Sequence, residues 1–207
     1  MKINIKVNSG PILAPEFIHS AIKKKTLKKL VITQEIDVST ICEPDQLLTM
    51  IVAGVLNAME GERPDPKFYR ILSDLTTSID GIVTSGLSAE LSSLEYISKN
   101  QSGLKLIDNL DSFFKAVLKL ESFTNKKKIV IPITNLSLNL SGGFGVIEAI
   151  KKYLVSNKIQ LVVVDSMESI EMIIRNYFLR LLNIGPEYLP RNIDNMVKSY
   201  SSGVFII

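Results

Sequence analysis

The chain has 207 residues, long enough to bury a full core as a single α/β domain over 1–207. One cysteine, Cys42, and one histidine, His19, exclude an internal disulfide and the thiolate or multi-imidazole sites of zinc enzymes. A formal charge of +3 is far from the dense positive field of a dedicated nucleic-acid binder, so charge leaves a nucleic-acid partner open without pointing to one.

Met1 to Val7 alternate polar and apolar residues as a strand does, with Ile3, Ile5 and Val7 on one side. They lack the continuous apolar run of a signal peptide, and with a lone cysteine this leads us to expect a cytoplasmic protein. Asn8-Ser9-Gly10-Pro11 is a run of turn formers. Pro15 then opens a helix in which Phe17, Ile18, Ala21 and Ile22 recur at helical spacing up to a lysine-rich end. Leu30-Val31-Ile32-Thr33 is a β-branched second strand whose alternation Gln34 to Val38 continue, parallel to the first because a helix joins them.

From Pro44 to about Asn100 the pattern turns helical: Pro44 to Met59, Pro66 to Ser78 and Leu87 to Lys99, with breaks at Gly61-Glu62-Arg63-Pro64 and Ile79-Asp80-Gly81. We read this as a helical insertion at about 44–100. Its most apolar stretch, Leu47 to Met59, is only about half of the ~20 residues that a bilayer span requires, so no membrane partner is expected. Leu104 to Ile107 reads as a short strand. A helix with Leu110, Phe113, Phe114, Val117, Leu118 and Leu120 on one face follows, capped by Asp108 or Asn109. After Lys126 to Lys128 comes the strand Ile129 to Ile133, where Pro132 lacks an N–H and so requires a bulge or a change of strand. Leu136, Leu138 and Leu140 alternate with polar residues directly afterwards.

Ser141-Gly142-Gly143-Phe144-Gly145 leads into a helix carrying Val146, Ile147, Ile150, Tyr153 and Leu154. Ile159 to Val164 is the continuous apolar run of a strand buried on both faces, ending at Asp165. Met167 to Leu182 is an amphipathic helix, and Gly203 to Ile207 a closing strand. The alternation predicts an α/β fold: a Rossmann-like, mostly parallel sheet with helices on both faces. Hydrophobic residues make up 46% of the chain, more than a lone domain of this size needs, and from this we expect a homo-oligomer.

The glycine loop at 141–145 is the sharpest local signal for chemistry. Glycines let backbone approach a ligand closely, and the helix start that follows offers amides and a positive dipole end to an anion such as phosphate. No Lys-Ser or Lys-Thr follows the glycines, which excludes a P-loop ATPase. The alternative is a tight strand-to-helix turn with no ligand. Asp165 stands where α/β enzymes often hold a metal-binding carboxylate, with Glu168 one turn on, but Asp165 or Ser166 as a helix cap explains the same residues. No metal or cofactor is therefore assigned. His19 has no partner in local register and reads as a packing or surface residue, and the lysine runs 23–25, 28–29 and 126–128 as solvated ends.

The order of parts resembles the CARF family, the Rossmann-like domains that sense cyclic oligoadenylate in type III CRISPR antiviral defence. Asn8-Ser9-Gly10-Pro11 takes the place of that family's loop after the first strand. Ser141-Gly142-Gly143 takes that of its Thr-Gly-Gly-like loop, with Leu138-Asn139-Leu140 leading in and Ile159 to Asp165 leading out. Leu104 to Ile107 would match the third strand. The likeness covers residues 1–43 and 103–166. Ser141 replaces the usual Thr, and no Lys or Arg follows the glycine pair. The resemblance implies a nucleotide-binding homodimer that takes a cyclic oligoadenylate, or another phosphate-bearing ligand, at Asn8, Ser9, Gly10, Ser141, Gly142 and Gly143. Ring cleavage would need a 2′-hydroxyl aligned on its neighbouring phosphate and a group to stabilise charge. No lysine is placed for that by motif, so binding is expected in preference to ring-nuclease activity.

Two readings from other classes stand beside this one. The first is a non-catalytic α/β interaction subunit of a larger assembly, with the apolar Leu47 to Met59 helix as its interface. The second is a magnesium-dependent enzyme acting on phosphate esters through Asp165.

Overall fold

The computed structural model of the chain describes residues 3–5, 29–84, 93–182 and 191–206. In chain order these form β1 (Ile3–Ile5), β2 (Leu30–Ile32), β3 (Ile36–Asp37), α1 (Pro44–Asn57), α2 (Pro66–Thr84), α3 (Ser93–Val117), β4 (Lys128–Thr134), α4 (Gly143–Tyr153), β5 (Ile159–Val164), α5 (Met167–Leu181), α6 (Arg191–Val204) and β6 (Phe205–Ile206). Single 3-10 turns occupy Glu121–Phe123 and Leu136–Leu138. The strands make one sheet in the order β2, β4, β5, β1, β6, with β3 also on β4, and every ladder is parallel. This is the Rossmann-like α/β architecture expected from the alternation of strands and helices. The first two strands share the sheet but are not neighbours, because β4 and β5 lie between them.

Strands β2 and β3 are one edge strand with an interruption. Ile32 pairs with Val130 but Ile36 pairs with Ile133, so four steps on the edge match three on β4, a bulge of one residue. Pro132 explains where it falls. Val130 and Thr134 turn their carbonyls to this edge, accepting from Thr33 N and Val38 N (both 3.1 Å), and Pro132 midway between them faces the same side. Its missing N–H therefore lies opposite residues 33–35, while its other flank pairs with β5 without a break. The bulge that the proline demands is taken up by the neighbouring strand.

Both faces of the sheet are buried, as the apolar runs of β4 and β5 require. Ile129, Ile131, Ile133, Ile159, Leu161 and Val163 face the main core, to which buried residues of α1 to α6 belong, and Val130 and Val162 join Leu30 on the opposite face. Helix α1 starts at Pro44, with Gln46 Oε1 accepting from the Cys42 and Glu43 amides (3.0 and 3.4 Å). It buries Leu47, Leu48, Ile51, Val52 and Val55 in this core, at roughly 2 kcal/mol each. The apolar face expected to meet a partner subunit is thus engaged within the chain, and Met50 is its one large exposed apolar side chain.

Three expected boundaries shift. The Ile79-Asp80-Gly81 break lies inside α2, because burial of Leu75 and Ile79 outweighs the ~1 kcal/mol that a helical glycine costs. The expected strand Leu104 to Ile107 is the middle of α3. There Leu106, Leu110, Phe113, Phe114 and Val117 are buried at helical spacing while Leu104 is 64% exposed. Asp108 and Asn109 are helix interior and not caps. Asn109 instead donates to Asp74 O (3.0 Å) and Ser78 Oγ (2.7 Å), tying α3 to α2. At the other end α6 reaches Val204, so the closing strand is only Phe205–Ile206, and Ile207 lies outside the described residues.

Candidate functional site

In a parallel sheet the loops that follow the strands gather along one edge, and ligands bind where successive connections diverge to opposite sides. After β1 the chain re-enters the sheet at β2, on one flank; after β5 it re-enters at β6, beyond β1 on the other. The topological switch point therefore lies between the carboxyl ends of β5 and β1. Asp165 and Ser166 follow β5 directly. Asn8, Ser9 and Gly10, the residues expected to face them after β1, lie outside the described residues.

Ser141, Gly142 and Gly143 sit after β4, one strand from that point. The expected run of alternating leucines is not a strand: Asn135 turns the chain out of β4 in a left-handed conformation (φ 60°) that asparagine tolerates, and Leu136–Leu138 form a 3-10 turn. Asn139, 2% exposed, organises the loop. Its Nδ2 donates to Val38 O (2.7 Å) and Ile41 O (2.6 Å), and its Oδ1 accepts from Gly142 N (2.7 Å). Gly143 N donates to Asn139 O (2.9 Å). A Cβ on Gly142 would stand 2.4 Å from Ile41 O, and one on Gly143 3.2 Å from the Ile173 side chain. Close packing alone thus requires glycine at 142, while at 143 a Cβ would be tight and the Ile173 side chain would have to yield. With the Gly142 and Gly143 amides engaged inside the loop, an anion at this helix start would be met by the amides of Phe144 and Gly145. Gly145 is exposed, with open space where a Cβ would stand.

The carboxylates of this edge are held by backbone. Asp165 accepts from Ser137 N (2.6 Å) and Ser166 N (2.8 Å), clamping the turns after β4 and β5 together. Ser166 is the N-cap of α5, its Oγ accepting from Ser169 N (3.1 Å), and Glu168 stands exposed in the first turn. Asp37 accepts from Ser39 N (2.9 Å) and Asn135 Nδ2 (2.9 Å). The Ser39 amide, then the Ser39 and Asn135 side chains, hold its carboxyl below the usual carboxylate range. Among the described residues no group of three or more His, Cys, Asp and Glu is placed to hold a metal. Residues 38–43, 135–142 and 165–166 contain no Lys or Arg, so an anion here would rest on amides and hydroxyls. Leu138 and Leu140 project from this edge, 66% and 55% exposed.

Sequence reasoning missed the aromatic group behind the glycine loop. Phe144 stacks on Tyr177 of α5 (centroids 3.6 Å apart, planes at 8°), and Phe178 and Tyr200 close the cluster. Burial, then the hydrogen bond to Glu148, pushes the Tyr200 hydroxyl up. Ile193, Val197 and Tyr200 at helical spacing were the readable signal for α6.

At the opposite, amino-terminal edge of the sheet the structure gathers lysines. Lys115, Lys119, Lys126, Lys127, Lys128 and Lys158 line an open groove of about 780 Å³. Beside it a smaller hollow of about 400 Å³ holds Asp108 and Asp111. Asp111 bridges Lys115 (2.5 Å) and accepts from Ser156 Oγ (2.6 Å). Burial acts to raise the Asp111 carboxyl; the hydrogen bonds from Lys115 and Ser156 and the charges of Lys115 and Lys158 outweigh it and hold the group low.

No protein-family model matches the chain, and no curated protein matches it. No helix among the described residues is long and apolar enough to cross a membrane.

Proposed function

We propose that the chain is a CARF-like ligand-sensing domain that binds a cyclic oligoadenylate, acting as a homodimer. The observation that carries this is the switch point between β5 and β1, the place in such a sheet where a nucleotide has backbone amides and helix starts on either side. A twofold pair of copies would offer two such edges to a ring with the same symmetry. Binding is favoured over cleavage, because the described loops at this edge hold no cation to stabilise a developing phosphorane charge.

Titration calorimetry with cyclic tetra- and hexa-adenylate tests it, with the mixture then chromatographed for linear products. The informative variant is Gly145→Asp. It places a carboxylate in the first turn of α4, in open space, where it suits the helix dipole and stability holds or rises. Bound anion would be repelled, and affinity should fall about tenfold or more. Gly142→Asp would disrupt the loop against Ile41 and report folding instead. No heat from a folded wild type would sink the reading.

A second reading keeps one specific support. Leu138 and Leu140 are exposed together on the glycine loop, as an interaction subunit would place them. Leu138→Ser with Leu140→Ser would then change the oligomeric state in light scattering and leave any ligand affinity intact. The magnesium reading gains no support, since among the described residues no group of three or more His, Cys, Asp and Glu is placed with Asp165 to hold an ion.

A further inference from the structure

We infer that the amino-terminal edge of the sheet binds the phosphate backbone of double-stranded nucleic acid. Three adjacent strands begin in lysines: Lys29 precedes β2, Lys127 and Lys128 open β4, and Lys158 precedes β5. The ladder holds them in a row, with Lys127 N donating to Lys29 O (2.7 Å) and Ile129 N to Lys158 O (2.8 Å). Strands lie about 4.8 Å apart, so the row crosses roughly 10 Å of sheet edge. The end of α3 adds Lys115 and Lys119, and Lys126 completes the groove, in which no acidic residue takes part. Among the described residues no ion pair engages Lys29, Lys119, Lys127, Lys128 or Lys158.

The chain's 24 basic residues face 21 acidic ones, so the net charge gives no sign of a basic patch; this edge is positive by placement, six lysines and no acidic residue lining the groove. Helix carboxyl ends gather at this edge and attract cations, which accounts for Lys115 and Lys119. Like charges held this close repel one another, and an anion laid along the row removes that repulsion.

The chemistry of the groove selects the occupant. No aromatic side chain lines it, so unpaired bases would find nothing to stack on, which disfavours a single strand. Lysine meets phosphate as a point charge, and no arginine is present to read base edges, so binding would be independent of sequence. Asp108 and Asp111 in the adjoining hollow, which shares Lys115 and Lys158 with the groove, would meet a broad anionic bilayer laid over both hollows, which disfavours a membrane surface.

The test is fluorescence anisotropy of a labelled duplex of about 20 base pairs, between about 50 and 200 mM salt. We expect binding whose log–log salt slope is about −3 to −4, as roughly four phosphate contacts give. Lys127→Glu with Lys128→Glu, both exposed, should weaken it by about tenfold or more at an unchanged thermal midpoint. Gly145→Asp, at the other edge, should leave duplex binding intact, so this inference and the sensor reading fail separately. Absence of salt-dependent duplex binding by the folded protein would overturn it, as would equal binding by the charge-reversed variant, tighter binding of a single strand of the same length, or capture by phosphatidylserine vesicles from which the duplex cannot displace it.

Discussion

The two ends of one parallel sheet treat their polar groups in opposite ways. At the carboxyl end Asn139 and Asp165 are tied to backbone of neighbouring loops, Asp37 to the Ser39 amide and the Asn135 side chain, and Ser166 to the start of its own helix, while Ile41 leaves no room for a Cβ at Gly142. At the amino end, lysines from three segments of the chain line one groove, with Lys29 beside them on the sheet edge, and among the described residues no ion pair engages Lys29, Lys119, Lys127, Lys128 or Lys158. The difference teaches that a glycine-rich loop and a charged run need the same scrutiny: what each group already touches decides what is left for a ligand.

The largest effect that would sharpen this contrast is Asn139→Ala. It strips partners from Val38 O, Ile41 O and Gly142 N at a buried position, and should cost about 3 kcal/mol or more in urea unfolding. Lys127→Glu, by comparison, should leave the urea midpoint within about 0.5 kcal/mol of wild type, since it is an exposed surface change. An Asn139 variant as stable as wild type would break the comparison at its strongest point.

Within the glycine loop the same contrast holds on a smaller scale. Gly142→Ala should cost about 1–3 kcal/mol through its clash with Ile41 O, whereas Gly145→Ala, in open space inside the first turn of α4, should gain about 0.5–1 kcal/mol. Equal effects of the two would mean that the loop is not packed on residues 41–42.

The smallest effect is on the acid limb. Asp37 and Asp111 titrate below the ordinary carboxylate value in the folded chain. Each therefore contributes stability that is present above about pH 4 and is lost as pH falls through the folded value. Asp37→Asn and Asp111→Asn should each flatten part of that loss. Added salt should raise the Asp111 titration, which depends on Lys115 and Lys158, and leave that of Asp37, held by neutral hydrogen bonds, nearly unchanged. Carboxyl chemical shifts against pH at two salt concentrations read both.

Much of the α/β order was legible in the chain because burial on both faces writes a continuous apolar run, as in Ile159 to Val164, and a helix face writes its period, as in Met167 to Leu181. Leu104 to Ile107 was misread because four apolar-rich residues fit either period, and only the packing of Leu106 with Leu110 and Phe113 selects helix. The candidate loop was legible as Ser141 to Gly143, but not its cause: Asn139 and its bonds to Val38 and Ile41 span about a hundred residues of sequence. Lys28-Lys29 and Lys126 to Lys128 stood out as runs; Lys115, Lys119 and Lys158 gave no sign that they belong with them.

By itself the sequence determined what is local: which segments alternate, which recur at helical spacing, that Pro132 must face a break in pairing, and that one cysteine and one histidine cannot make a multi-thiolate or multi-imidazole cage within the chain. The tertiary structure alone decided strand order, and with it the switch point between β5 and β1, the bulge taken up by the neighbouring strand, and the assembly of a lysine edge from distant segments. The reason is physical. Periodicity records the environment of each side chain along its own element, whereas adjacency between elements comes from the ladder and the shared core, which join residues that the chain keeps far apart.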